Sequence, residues 1–455
     1  MNIMNNVVAL CKRRGFIYPS SEIYGGIANS WDFGHYGILL KNNLRDLWWK
    51  KFVLDREDMV ALDANTILNS KVWQASGHVV NFNDALVDCR NCKFRIRADH
   101  LIEDQLPEKK VEGLPIEELT KIIKNNHLKC PRCGKSDFTE VRKFNLLFES
   151  KIGVIEGEGS KIYFRGELAQ GIFLNFKNII NSLRVKLPFG IAQQGKAFRN
   201  EITLGQFIHR TLEFDLMEFE YFIYPQDWEK TFEYWQKAMW QWALELGLRP
   251  ENLRWREHEA HERAHYSQKT MDIEYKYPFG WKEMFGIAYR TDFDLKNHAK
   301  FSGIDLRYFD QKTGERFFPH VIEPTFGLSR LTGIIIFDAY REDEIKGKKR
   351  IYLKFNPHVA PVKAAVFPLQ KDKKLVELAR KIYQELKKEM VVEFDDTGNI
   401  GQMYRRQDEI GTPFCLTIDY LSLEDKAVTV RDRDSTKQER VKIDKIKNYL
   451  KKQIN

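Results

Sequence analysis

Two short stretches, far apart in the chain, limit what it can fold into more than any other feature. One is Phe198-Arg199-Asn200-Glu201, with Phe214 close behind; the other is Glu323-Pro324-Thr325-Phe326-Gly327-Leu328-Ser329-Arg330. Each sets an arginine beside a carboxylate and an aromatic ring. A guanidinium grips phosphate oxygens bidentately. A ring offers its face to a base, and a carboxylate accepts from an exocyclic amine or holds magnesium. These are the parts needed to hold a nucleoside triphosphate without a glycine-rich phosphate loop, Arg199 at one end and Arg330 at the other. Such a fold must bring the two stretches together. Alone, Arg199 and Glu201 read equally well as a surface ion pair, worth little, and Arg330 as an exposed residue on a capped core helix. Their coexistence carries the reading.

Local pattern assigns these stretches to elements. Alternate residues of 198–201 share a strand face, so Arg199 and Glu201 are expected to point the same way. Pro324 is expected to end any preceding regular element. Gly327 then allows a tight entry into a helix whose first amides favour negative charge. Residues 212–224 alternate acidic and apolar types, the pattern of a central antiparallel strand with one face on the core and one lining a site. Residues 228–246 and 38–52 show helical spacing of apolar residues, the second with a face of Leu40, Leu44, Leu47, Trp48 and Lys51. Trp48-Trp49 suits a partner interface or the core equally.

The chain has 455 residues, 43% hydrophobic and 30% charged, with mean hydropathy −0.49. That supports several cores and leaves no apolar run long enough to span a membrane. Residues 1–11 lack the apolar core of a signal peptide, so the expected compartment is cytoplasmic. The net charge of +9 suits a polyanionic partner, although a lysine-rich genome would give the same balance. Lysines cluster at 346–354, 371–374 and 437–451. Four of the six cysteines form two Cys-x2-Cys pairs, Cys89/Cys92 and Cys130/Cys133. Without any sign of secretion, a structural tetrahedral zinc site is expected rather than disulfides. The glycine-rich stretch 153–159 lacks the Lys-Ser/Thr of a Walker loop. His258, His261 and His265 lie at helical spacing among acidic residues and read as a polar helix face. The C-terminal part alternates strands (364–367, 391–394, 414–418, 427–430) with helices (373–389 and from 443), an α/β pattern.

With these residues in hand, the chain resembles the class II aminoacyl-tRNA synthetases, and within them the dimeric, class IIa type of glycyl-tRNA synthetase. The two arginine stretches are similar to motifs 2 and 3. Tyr36-Gly37 and the following helix resemble motif 1, the dimer-forming element. Arg95-Ile96-Arg97-Ala98-Asp99-His100 matches RxRAD, and Arg165-Gly166-Glu167-Leu168-Ala169-Gln170-Gly171 is similar to RPETAQG. Residues 283–292 match ELxGIAxRTD, and His320-Val321-Ile322-Glu323-Pro324 matches HVIEP. The matches run in order through nearly the whole chain.

The resemblance implies an α+β catalytic core (1–85 and 150–345) built on an antiparallel β-sheet flanked by helices. It also implies a small cysteine-rich insertion (86–149), a linker (346–361) and an α/β anticodon-binding domain (362–455). It implies ATP, glycine and tRNA(Gly) as substrates and a homodimer. Arg199, Glu283 and Arg330 carry the catalytic role, with Glu283 on ATP-linked magnesium. The nucleotide site gains Asn200, Glu201, His209, Arg210, Thr211, Leu212, Glu213, Phe214, Met284, Gly327, Leu328 and Ser329. The glycine site comprises Arg97, Glu167, Phe214, Asp215, Leu216, Met217, Glu218, Arg290, Glu323 and Thr325.

Glycine offers no side chain, so a site reads its ammonium and carboxylate and fills the remaining volume. Excluding larger competitors needs no editing site. The family's chemistry needs no protein nucleophile, only placement and charge stabilisation. The chain departs from the family's pattern at Gly166, Leu168, His209, Leu212, Thr325 and Phe326. Two alternatives stand beside this reading. One is a class IIa synthetase for threonine, proline or histidine. The other is a non-catalytic synthetase-like protein, similar to the accessory subunit of mitochondrial DNA polymerase. The sequence Gly34-His35-Tyr36-Gly37 only faintly resembles the class I HIGH signature and has no KMSKS-like partner.

Overall fold

The computed structural model describes residues 3–109, 111, 113–153, 160–201, 207–345 and 347–454. Its centre is a seven-stranded sheet. In chain order the strands are β1 (Met59–Ala61), β2 (Phe189–Phe198), β3 (Glu213–Ile223), β4 (Leu253–Glu257), β5 (Lys269–Tyr277), β6 (Gly280–Thr291) and β7 (His320–Gly327). They lie side by side as β4-β5-β6-β7-β3-β2-β1. Every pairing is antiparallel except β1 with β2. The helices used below are α1 (Ile3–Arg14), α2 (His35–Trp49), α3 (Ala169–Ser182), α4 (Trp228–Glu245), α5 (Phe293–Ser302) and α6 (Leu328–Ala339).

Strand β3 has the expected alternation. Met217, Phe219, Tyr221 and Ile223 enter a core with Leu40, Leu44 and Trp48 of α2, Phe232, Trp235 and Trp242 of α4, and Leu331, Ile334 and Ile335 of α6. On the other face, Phe222 packs with Phe173 and Phe176 of α3 and Leu295 of α5, while Leu216 and Phe214 at the opposite end of the strand line a cleft. One face of the sheet is thus covered by helices, and the other is covered at one end and open at the other. Each aromatic ring buried here contributes roughly 2–3 kcal/mol. Trp48 is a core residue, fully buried and in ring contact with Phe52, Phe219 and Phe326. Trp49 stays partly exposed. Helix α2 passes into a π-turn at Lys50–Leu54.

Three expectations are corrected. Pro324 does not end an element: it sits inside β7, opposite Ile287 of β6. The ladder between β7 and β3 lapses there, pairing Glu218 with Thr325 and resuming at Tyr221 with Ile322, so no amide is demanded of the proline. The 346–361 segment is not a bare linker. Strands Tyr340–Ile345 and Lys348–Leu353 form a hairpin, and Leu353, Phe355, Val359 and Ala360 enter the main core. The stretch around His258, His261 and His265 is not a helix. His258 bonds Asp272 (2.7 Å) and His265 bonds the Ser76 carbonyl (2.8 Å), so tertiary partners decide this segment. Most of the glycine-rich stretch (154–159) and part of the motif 2-like loop (202–206) lie outside the described residues.

The C-terminal unit is a five-stranded mixed sheet with its own core, and its helices include Lys373–Lys387, Ile400–Ile410 and Ile446–Ile454. It is tied to the first unit by buried charge. Arg350 of the hairpin bonds Asp343, Asp408 and the Arg433 carbonyl, and Arg433 donates to the Phe355 and Gly411 carbonyls. Arg13 and Arg14 of α1 both reach Glu409.

Candidate active site

The two arginine stretches do converge. Strand β2 ends at Phe198, so Arg199, Asn200 and Glu201 lie just past it rather than on a strand face as expected. The Arg199 amide is held by the Leu212 carbonyl (2.9 Å), and its guanidinium donates to the Gly166 carbonyl (3.0 Å). The same guanidinium lies between the Phe82 and Phe214 rings, 5.1 and 5.4 Å from their centroids. Arg330, near the start of α6, reaches Glu283 of β6 (2.8 Å) and the His209 carbonyl (3.3 Å). Glu201 pairs with Arg210 (3.0 Å). Arg199, Glu201, His209, Arg210, Glu283 and Arg330 line one cleft, with Ile208, Thr211, Phe214, Asp215, Leu216, Thr325, Gly327 and Ser329.

The cleft sets three cations, Arg199, Arg210 and Arg330, against three carboxylates, Glu201, Asp215 and Glu283. Burial opposes ionisation of Glu283, but Arg330, Arg210 and Arg199 hold its pKa down to about 2. Glu201 is likewise lowered, against burial, by Arg210 and Arg199. His209 is pushed well down by burial and by Arg330, Arg210 and Lys282, so it is neutral. Asp215 is engaged by Lys41 (2.8 Å) and Ser329 (3.3 Å), which fixes the start of β3 against α2 and α6.

Thr325 stands directly opposite Glu218 in the β3–β7 ladder, and Glu218 belongs to a second, buried group of side chains. There Arg290, fully buried at the end of β6, bonds Glu323 (2.9 Å) and Asp294 (2.8 Å) and lies 3.5 Å from Glu167. Its guanidinium is 3.7 Å from the Tyr266 ring centroid. Glu167 also meets His78 (3.2 Å) and Gln170 (2.9 Å), and Glu218 accepts from the Leu168 amide (3.1 Å). Burial raises Glu167, but His78 and Arg290 pull it below the ordinary carboxylate range. Burial and the neighbouring Glu323 push Glu218 well up.

Several expected residues are placed elsewhere. Arg97 does not complete the wall beside Arg290; it is spent on Asp84 (2.9 Å) and Asp99 (2.5 Å). Met217, Met284 and Leu328 lie in the apolar core; for the two methionines, which are on strands, the period of two turns the side chains away from the open face. Glu213 is exposed and pairs with Lys196. The backbone amide of Asn200 bonds the Leu146 carbonyl, and that of Leu212 bonds the Asn29 carbonyl. Sequence reasoning missed Tyr266, His78 and Asp294, which carry no local signal. It also passed over Glu220, although the Glu218-x-Glu220 repeat places both on one strand face.

The four cysteines also converge. Cys89 and Cys133, and Cys92 and Cys130, are each 3.6 Å apart at sulfur, and all four sulfurs lie within 4.8 Å of one another. Thiolates around a tetrahedral zinc with bonds of about 2.3 Å stand about this far apart.

Among known proteins, a glycine–tRNA ligase of Clostridium acetobutylicum is 52% identical over 457 residues, covering 99% of this chain and 98% of that protein. The chain belongs to the glycine–tRNA ligase family. A Geobacillus thermodenitrificans family member is 52% identical over 99% of this chain and 97% of its own length. One from Bacillus cereus is 51% identical over the full length of both. Separately, the family model described as "Anticodon binding domain" matches residues 363–453, which coincide with the C-terminal sheet and its helices. No described helix is long and apolar enough to cross a membrane.

Proposed function

We propose that this chain ligates glycine to tRNA(Gly) with ATP, through a glycyl-adenylate, in protein synthesis. The carrying observation is adjacency: Thr325 lines the cleft with Arg199 and Arg330 and stands opposite Glu218 in the β3–β7 ladder, next to the buried carboxylates around Arg290. In this reading Phe214 stacks on adenine while Glu201 and Arg210 face its edge. Arg199 holds the α-phosphate and Arg330 the γ-phosphate. Magnesium bound with ATP, held by Glu283, neutralises charge on the phosphates. Glu167, Glu218, Glu323 and Thr325 receive the ammonium, and Tyr266 and Arg290 leave no room for a side chain.

The glycine carboxylate oxygen attacks the α-phosphorus and pyrophosphate leaves. Arg199 stabilises charge that grows in the transition state, in a site already organised for it. A terminal ribose hydroxyl of the tRNA then attacks the adenylate carbonyl and AMP leaves. The catalytic core is of class II, class IIa type and works as a homodimer in the cytoplasm. The motif 1-like α2 supports the dimer. The cysteine cluster holds a structural zinc, and 362–455 reads the anticodon arm through polar contacts and stacking.

ATP–pyrophosphate exchange across single amino acids tests the reading. Glycine should support exchange, while alanine and serine should fall below it by about 10²-fold or more. Exchange driven by threonine, proline or histidine instead would overturn it.

A further inference from the structure

Among the described residues, Glu220 is a carboxyl group of the amino-acid compartment that no hydrogen bond satisfies. It is fully buried in the middle of β3, and both its carboxylate oxygens lack a hydrogen-bond partner among the described residues. Carboxylate oxygens of Glu218, Glu220 and Glu323 lie within 4.8 Å of one another. The cations that could balance them are committed: Arg290 spends its donors on Asp294 and Glu323, and His78 faces Glu167. The groups facing Glu220 are therefore Glu218 on its own strand, Glu323 on β7, Arg290 on β6, Asp294 on α5 and, beyond Glu218, Glu167. Four are carboxylates and one is a cation. Ionising all five carboxylates in this dry space is prohibitive, and close carboxylates share a proton instead.

We propose that Glu220 is a positioning residue that keeps a proton in the empty pocket and gives it up when the ammonium of the amino acid arrives. This rests on the glycine reading of the compartment. Without the amino acid, protonated Glu220 adds no further negative charge beside Glu218 and Glu323, which lie within 4.8 Å of it, and so lets them keep their places. When the ammonium enters among Glu167, Glu218 and Glu323, it brings one positive charge; the Glu220 O–H proton leaves to solvent and the compartment's charge is unchanged. Glu220 acts through Glu218 and Glu323 and touches neither ATP nor the reacting carboxylate. The direction of the proton affinities agrees: burial, then the neighbouring Glu323, pushes both Glu220 and Glu218 well above the usual carboxylate range. The device ties the site to ammonium, since an uncharged group could not displace the proton.

The test is calorimetry of the full-length protein with a non-hydrolysable glycyl-adenylate analogue, near neutral pH, in buffers of different protonation enthalpy. The wild type should release about one proton per site, and the analogue lacking the amino group should release none. At saturating ATP the KM for glycine should fall as pH rises from about 5.5 to about 8. Glu220→Gln, which imitates the protonated acid, should keep exchange within about threefold, flatten that KM profile and abolish proton release. Undiminished release from Glu220→Gln, or no release from a wild type that performs glycine-dependent exchange, overturns the proposal. Should Glu220→Gln not fold, the wild-type measurement still decides. Absence of glycine-dependent exchange would instead sink the underlying reading of the pocket.

Discussion

Arg199 is anchored on the Gly166 carbonyl and Arg330 on Glu283 and the His209 carbonyl, and both arginines line the cleft. Arg199→Ala and Arg330→Ala should each lower ATP–pyrophosphate exchange by about 10²- to 10³-fold with an unchanged circular dichroism spectrum. Lysine should not restore it, because a point charge cannot make the bidentate contact. Full exchange by either alanine variant would remove that arginine from the mechanism. Glu283 makes a pH prediction. Its folded pKa of about 2 is depressed below that of an unfolded glutamate. The stabilisation is therefore present above the unfolded value and is lost as pH falls from about 4.3 towards 2. Melting curves of wild type and Glu283→Gln should differ at neutral pH and converge across that window; a constant offset would show that the ion pair is not its source. Residues of this kind were legible in part. Arg199, Glu201 and Arg330 were singled out by local motif chemistry and Glu283 by the resemblance, and all four line one cleft. Tyr266 and His78 were not, because what places them is a contact across the fold.

At the scale of elements, β3 was read correctly because its alternation is strict: odd residues carry the aromatic core and even ones the site. The same period explains the misplacement of Met217 and Met284, whose motif positions were taken as contacts although their strand faces turn inward. Pro324 was misread because a proline is a breaker only where an amide is needed, and the lapse in the β3–β7 ladder shows none is. The helix α2 joins the sheet chiefly through Trp48. Trp48→Ala should cost about 3–5 kcal/mol in denaturant unfolding; a loss below about 1 kcal/mol would place that ring outside the core. The cysteine insertion has its own small core of Val87, Leu101, Ile102 and Leu119 around Cys89 and Cys130. Metal analysis should find one zinc per chain, and the Cys130→Ser/Cys133→Ser variant should lose both metal and protease resistance of 89–141. Retention of that resistance without metal would make the cluster dispensable.

At the scale of the molecule, the division into a larger unit and a C-terminal α/β unit was visible in the change from aromatic-rich strands to short alternating elements. The join was not. Residues 346–361 were expected to be a linker, with lysines clustered at 346–354, yet Arg350 and Leu353 face inward and lock the hairpin to both units. The ties from Arg13 and Arg14 to Glu409 cross the same join. Glu409→Ala should leave ATP–pyrophosphate exchange intact while lowering tRNA charging several-fold, because the anticodon-binding unit then sits less firmly against the core. Equal loss of both activities would assign Glu409 to the fold of the core instead.

The account depends on ATP and glycine sharing one continuous site, and a crystal structure of the chain with a non-hydrolysable ATP analogue and glycine tests that most directly. It should show Arg199 on the α-phosphate, Arg330 released from Glu283 to the γ-phosphate, and the glycine nitrogen within hydrogen-bonding distance of Glu167 or Glu218. A nucleotide bound with Arg330 turned away, or glycine outside the Arg290 compartment, would contradict it.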